Sequence, residues 1–222
     1  MIYIIMKRII GIDQSLTSTA VCVIDGENIN FYCFVRGKRN KWCDVMEDIG
    51  VIHVIDDYDV SGSFSGSELK KLIGYRNHAK MITNLVSIDS DDIGIEGYAY
   101  RAKGNISDLI AFGTMLRLEI IDADCPIEIL APMSIKTEFA KLVYPTVKNI
   151  ARNYEGVAGG KFNKHNMLQA VVDGSMEPML SALKPYYLDL MNMKAIPSPI
   201  NDCIDAFAIA MIKKKRTDNG NL

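Results

Sequence analysis

Arg8-Ile9-Ile10-Gly11-Ile12-Asp13-Gln14-Ser15-Leu16-Thr17-Ser18-Thr19-Ala20-Val21-Cys22-Val23-Ile24 is the stretch on which the fold turns. An apolar run from Ile9 to Ile12 delivers one acid, Asp13, and small hydroxyl residues come after it. A second β-rich run, Ala20 to Ile24, starts at once. The pattern predicts a buried strand, a tight connection and an antiparallel return strand. A carboxylate at the end of a buried strand is costly to desolvate unless a cation or hydrogen bonds compensate it. Taken alone, Asp13 reads as an acid hydrogen-bonded to its own turn, and only other acids downstream can give it a further meaning.

Asp25-Gly26 is a hairpin signal, and Asn28 to Arg36 reads as a third strand, with Ile29, Phe31, Cys33 and Val35 on one face. Gly37 to Trp42 is a charged connector, and Val51 to Val60 has the pattern of an extra edge strand with its acids toward water. Ser67 is the expected cap of a helix over residues 68–86, with Leu69, Leu72, Ile73, Ala79 and Ile82 sharing a face. In the next strand, Asp92 to Tyr100, Ile93 and Ile95 point one way and Gly94 and Glu96 the other. A helix from Asn105 to about residue 122, a strand at Pro126 to Leu130 and a short helix from Pro132 carrying Lys136 come next. Residues 156–166 form a glycine-rich basic loop, and Met167 to Asp173 continues as helix. Residues 178–194 form a separate, Met- and Tyr-rich helical piece. In the last helix, entered through Ser198-Pro199, Asp202 and Asp205 stand three residues apart on one face. Ala206, Ala208 and Ala210 keep that helix thin enough to lie close on a sheet, and Lys213 to Arg216 form a basic end that frays.

The 222 residues suffice for one domain with a substantial core, with insertions expected near 37–66 and 174–195. The opening apolar run is too short for a signal peptide and no run approaches membrane-spanning length, so the expectation is a cytoplasmic protein with no membrane partner. Five scattered cysteines without a Cys-x-x-Cys pair suit a reducing compartment, and three histidines make a zinc site a poor fit. Net charge is −2, but residues 1–133 carry 13 basic and 19 acidic side chains (net −6) and residues 134–222 carry 12 and 8 (net +4).

Asp13, Glu96, Asp202 and Asp205 each have an ordinary structural explanation, but together they are harder to account for. Like-charged carboxylates brought together repel unless cations hold them. Hard oxygen ligands suit Mg²⁺, with Mn²⁺ able to substitute, and two ions per active site can activate water and stabilise a leaving oxygen in phosphodiester hydrolysis.

The chain resembles the RuvC-type Holliday junction resolvases of the RNase H-like superfamily. The resemblance rests on Gly11-Ile12-Asp13 with Ser15 and Thr17-Ser18, and on Ile95-Glu96 with aromatics and Asn105 beyond it. Pro132-x-x-x-Lys136, Gly160-x-x-x-Lys164 and Asp202-x-x-Asp205-Ala206-x-Ala208-x-Ala210 complete it. It implies an α/β, RNase H-like fold: a five-stranded mixed sheet of order 3-2-1-4-5, strand 2 antiparallel, helices on both faces. It also implies a homodimer that cuts opposed strands of four-way DNA junctions, with no nucleotide cofactor. The longer 37–91 segment and the apparent insertion at 174–195 fit a divergent member, phage or viral in kind.

Lys164 and Lys136 are the expected lysines at the scissile phosphate, with Lys161 a substitute for Lys164. Tyr98 and Tyr100 are candidates for stacking on opened bases, and Arg101 is a further DNA-binding candidate. The helix from Asn105 to Asp122, through Leu109, Phe112, Leu116 and Ile120, is the expected dimer face, although its own sheet could equally take those residues. Alternative readings are another RNase H-like nuclease acting on flaps or forks, an actin-like phosphotransferase, for which the chain is short, and a non-catalytic DNA-binding module.

Overall fold

The computed structural model describes residues 7–55, 63–86, 91–98, 106–143, 162–173 and 183–220. Six strands, β1 (Arg8–Asp13), β2 (Ser18–Asp25), β3 (Asn28–Arg36), β4 (Ile52–Ile55), β5 (Asp91–Glu96) and β6 (Ile127–Leu130), form one sheet ordered β4-β3-β2-β1-β5-β6. β2 runs antiparallel to both β1 and β3, and β5 and β6 run parallel to β1. The opening meander is as the sequence predicts: Asp25 pairs with Asn28 across a two-residue loop in which Gly26 takes a φ of 59°. The sheet has six strands rather than the expected five, because Ile52–Ile55 pairs in parallel with the outer edge of β3. The rest of that expected edge strand, including its three acids, lies outside the described residues.

Alternation along β1 sorts the two cores. Ile10 and Ile12, with Val21, Val23, Phe34, Ile93 and Ile95, pack beneath α2 (Phe64–Thr83) and α3 (Ile106–Asp122). The opposite face carries Ile9, Ala20, Cys22, Phe31 and Cys33. It is covered by α1 (Lys41–Glu47), α4 (Pro132–Val143), α5 (Lys164–Asp173), α6 (Tyr187–Asn192) and α7 (Ile200–Asp218).

The alanines of α7 do what their size suggests. A Cβ added to Gly11 would overlap the Ala206 carbonyl oxygen and the Ala210 amide nitrogen, and would stand 2.8 Å from the Ala210 Cβ. Those are backbone atoms that cannot step aside. Gly11→Ala should therefore cost about 1–3 kcal/mol or more through overpacking, read as a lower midpoint in urea, whereas Gly66→Ala near the exposed start of α2 should be close to neutral. Equal midpoints for the two variants would contradict this packing.

Several expectations are corrected. α2 starts at Phe64 rather than 68, because Ser63 caps it by accepting from Gly66 N at 3.3 Å. Its buried face is Tyr75, His78, Ala79 and Ile82, while Leu69, Leu72 and Ile73 are open to solvent. The charged connector gives way to helix α1 at Lys41, and Asn40 with Trp42, Cys43 and Met46 at helical spacing is its signal: the Asn40 side chain accepts from Trp42 N and Cys43 N. On α3, Phe112, Leu116 and Ile120 are fully buried beneath their own sheet. The close approach at Gly113 is to Gln14 and Tyr98 of the same chain. The expected dimer face is thus core, and Phe112→Asp would unfold the protein rather than separate two copies.

Lys213 to Arg216 lie in the last turns of α7, as expected, but they are not a free basic tail. The helix continues to Asp218, and Lys213, 1% exposed, pairs with Asp92 at 2.8 Å and Glu128 at 3.3 Å. Arg216 pairs with Glu128 and with Glu138, and the Thr217 hydroxyl donates to Asp92 at 2.6 Å. The far end of the helix is fastened to the starts of β5 and β6.

Candidate active site

The register of β1 and β5 pairs Gly11 with Gly94 and Ile12 with Ile95, which brings Asp13 and Glu96 to the same end of neighbouring parallel strands. Gly11 and Gly94 both lie against α7, where a Cβ on Gly94 would meet Ile209 and Lys213. Two residues further on, strand alternation turns Asp13 and Glu96 to that same face. α7 crosses β1 with Ala206 over Gly11, so its first turns place Asp202 and Asp205 over the end of β1. The tight approach of a thin helix to two strand glycines is what gathers acids spread over almost the whole chain.

The electrostatics record that gathering. The Asp13 carboxyl is buried and held well above the usual carboxylate range, first by burial and then by the charges of Glu96 and Asp202. Burial also raises Asp202, against which the hydroxyls of Ser18 and Ser198, the charge of Lys164 and the Asn201 amide act. The Ser198 hydroxyl donates to one Asp202 oxygen at 2.5 Å, and Asn201 Nδ2 donates to the other at 3.3 Å. Ser198, at the entry to the last helix, holds a carboxylate with its hydroxyl, a role its place four residues before Asp202 could have suggested. Arg117 of α3 donates to the Glu96 carbonyl at 2.9 Å and steadies the end of β5.

Lys164, the first residue of α5, reaches into the cluster and pairs with Asp205. Its aim is set by reciprocal bonds at the helix start: Asn163 Oδ1 accepts from His165 N and Asn166 N, and Asn166 Oδ1 accepts from Asn163 N at 2.8 Å. Burial pushes the Lys164 ammonium down to about 8; Lys136 pushes the same way, while Asp13, Asp202 and Glu96 oppose it. Lys136 itself is exposed on α4.

Tyr98 is not presented as an open stacking platform. Its hydroxyl reaches the Ile110 carbonyl at 3.1 Å and Thr114 at 2.9 Å, and the Arg117 guanidinium covers its ring at 3.9 Å. Tyr100, Arg101 and Lys161 lie outside the described residues.

Among the described residues, no three His, Cys, Asp or Glu side chains are grouped so that they could hold a metal ion as they stand. The donor set nevertheless suits a hard divalent cation. Its oxygens belong to carboxylates that repel one another, and the burial and neighbouring charges that hold Asp13 above the usual carboxylate range are what a bound cation would offset. Nothing in this set of carboxylates resembles the soft, sulfur-rich shell of a zinc or copper site.

Without its outer strand β4, the sheet runs 3-2-1-5-6 with only β2 reversed, and its inner strand ends in an acid facing the last helix. That is an RNase H-like fold. Solved structures similar to the chain include Thermus thermophilus RuvC in complex with a Holliday junction substrate, 13% identical over 96% of both chains with a TM-score of 0.49. T. thermophilus RuvC in a second structure is 14% identical over 96% of both chains, with a TM-score of 0.46. The yeast mitochondrial Holliday junction resolvase Ydc2 is 15% identical over 96% of this chain and 81% of that one, with a TM-score of 0.48. No family model and no curated protein sequence matches the chain. Among the described residues no helix is long and apolar enough to cross a membrane.

Proposed function

We propose that this protein is a divalent-metal-dependent endonuclease of branched DNA that resolves four-way junctions as a homodimer. The observation that carries the reading is the meeting of Asp13, Glu96 and Asp202 on the α7 face of an RNase H-like sheet, with Lys164 reaching in to Asp205. A buried set of like charges has no structural merit of its own. Asp13, Glu96, Asp202 and Asp205 would hold Mg²⁺, or Mn²⁺ in its place, at two positions. Bound there, the ions supply a Lewis acid and an activated water. Ser18, Ser198 and Asn201 fix the orientation of Asp202. Lys164 and Lys136 bring positive charge to the phosphate, Lys164 from within the cluster and Lys136 from the exposed side of α4.

The four-way junction and the two-fold pairing are what the resemblance of these motifs to the RuvC-type resolvases implies. Two equivalent strands related by a two-fold axis match one site per chain in a symmetric dimer. With Phe112, Leu116 and Ile120 committed to the core, Leu118 and Ile121 are the α3 residues left open to a partner.

Matched four-way, three-way, flapped and linear DNAs, incubated with Mg²⁺ or Mn²⁺, test the substrate. Paired cuts near the branch of the four-way junction, with linear duplex left intact, are expected. Equal cleavage of linear duplex would overturn the structure selectivity, and a preference for flaps would move the activity to another branched substrate of the same fold.

A further inference from the structure

The connector between β3 and α1 is tied to the carboxylate cluster, and with the first residue of α1 it carries three cations. β3 ends at Arg36 on the same sheet edge as Asp13: Ser18 pairs with Val35, and Arg36 N donates to the Thr17 carbonyl at 3.0 Å. From there Gly37, with a φ of 80°, turns the chain into Lys38-Arg39-Asn40-Lys41. Asn40 caps α1 with its side-chain oxygen and donates its amide to the Ser198 carbonyl at 2.9 Å. Ser198 in turn donates its hydroxyl to Asp202. Two short links therefore tie the connector to the carboxylate cluster.

Its cations are not equivalent. Arg39 is committed to Asp44 at 2.9 Å and to Glu47, which stiffens the connector and spends its charge locally. Lys38 and Lys41 are exposed and have no acidic partner among the described residues. The Lys41 ammonium rides 4.8 Å over the ring of Trp42, which is buried, so its stem is held while its head stays in water. Lys136 stands on α4, which follows β6 at the other end of the strand order, and the connector leaves β3 on the opposite side of β1. The carboxylates thus have cations on both flanks.

We propose that Lys38 and Lys41 form a second DNA-backbone contact, gripping phosphates of the bound strand across the carboxylate cluster from Lys136. The inference rests on the nuclease reading and extends it: a cluster of carboxylates repels a polyanion, so cations to either side are needed to lay a strand across it. Asn40 makes the contact a positioned one, because the loop that grips the backbone also bonds the residue holding Asp202.

The test is binding of a fluorescent four-way DNA junction by the full chain in EDTA, titrated with salt. For Lys38→Glu/Lys41→Glu, affinity should fall by about tenfold at moderate salt, and the slope of log K against log salt should drop by about two. Lys38→Gln/Lys41→Gln should lose the same slope with a smaller loss of affinity, and it excludes misfolding by charge reversal if its melting temperature matches wild type. Lys70→Glu/Lys80→Glu on α2 should bind as wild type does, and Mn²⁺ binding by calorimetry should be the same in all four proteins. Unchanged affinity and slope in both connector variants, or an equal loss in the α2 control, would overturn the inference while leaving the nuclease reading intact. Failure of the wild-type protein to bind the junction at all would overturn the nuclease reading, and the inference with it.

Discussion

Asp13→Asn should abolish cleavage and, in the metal-free protein, raise the melting temperature. The first effect comes from the proposed role: without the central carboxylate the cations lose their shared ligand, and the rate should fall by about a hundredfold or more. Junction binding should survive, because an amide repels phosphate less. The second effect comes from linkage. The unfolded chain ionises this carboxyl near 4, whereas the folded protein keeps it protonated to higher pH through burial and the charges of Glu96 and Asp202. Between those two values the folded state binds more protons, so stability falls as pH rises. An amide has nothing to ionise and escapes that loss.

Glu96→Gln, Asp202→Asn and Asp205→Asn should lower cleavage by a similar factor, but Asp205→Asn should not stabilise, since it takes the partner from Lys164. Melting curves at several pH values in EDTA check the pattern. A lower melting temperature for Asp13→Asn at neutral pH would contradict the electrostatic account.

The second large effect lies at the other end of α7. Lys213→Met leaves Asp92, almost fully buried, without its cation, and removing one partner of a buried pair costs about 3–5 kcal/mol. For a chain of this size that is a fall of roughly 10 °C in melting temperature. Adding Asp92→Asn to Lys213→Met should recover much of it, because the second change removes the stranded charge. Activity should fall only as far as unfolding requires, since the pair fastens the helix far from Asp202. A double variant less stable than the single one would show that hydrogen bonds to Asp92, such as that from Thr217, outweigh its charge.

The parts of this molecule that can be read from its sequence are those set by local pattern. The meander and the strand that carries Glu96 come from period-two alternation, although that strand stops at Glu96 rather than running on to Tyr100, and the place of the acids comes from which strand residues are glycine. The close approach of α7 is legible because Ala206 and Ala210 leave room that only a glycine on the strand can use.

Long-range pairing is not legible. Nothing in Lys213-Lys214-Lys215-Arg216 distinguishes the lysine that meets Asp92, more than a hundred residues earlier, from its less buried neighbours. Periodicity groups Leu69, Leu72 and Ile73 on α2 but cannot say that the sheet meets Tyr75, His78 and Ile82 instead. On α3 it shows an apolar stripe through Phe112 without saying whether a second copy or the chain's own sheet covers it. Ser198 is ambiguous for a related reason, because a serine before a helix is equally suited to a backbone amide and to a carboxylate one turn on.

The most direct test of the metal-centred claim is a four-way junction labelled on each strand in turn, incubated with wild-type protein and with Asp202→Asn, each in Mn²⁺ and in EDTA. Cuts near the branch that need both Mn²⁺ and Asp202 are the expected result. Cleavage by wild type that persists in EDTA, or cleavage by Asp202→Asn at the wild-type rate, would contradict the account.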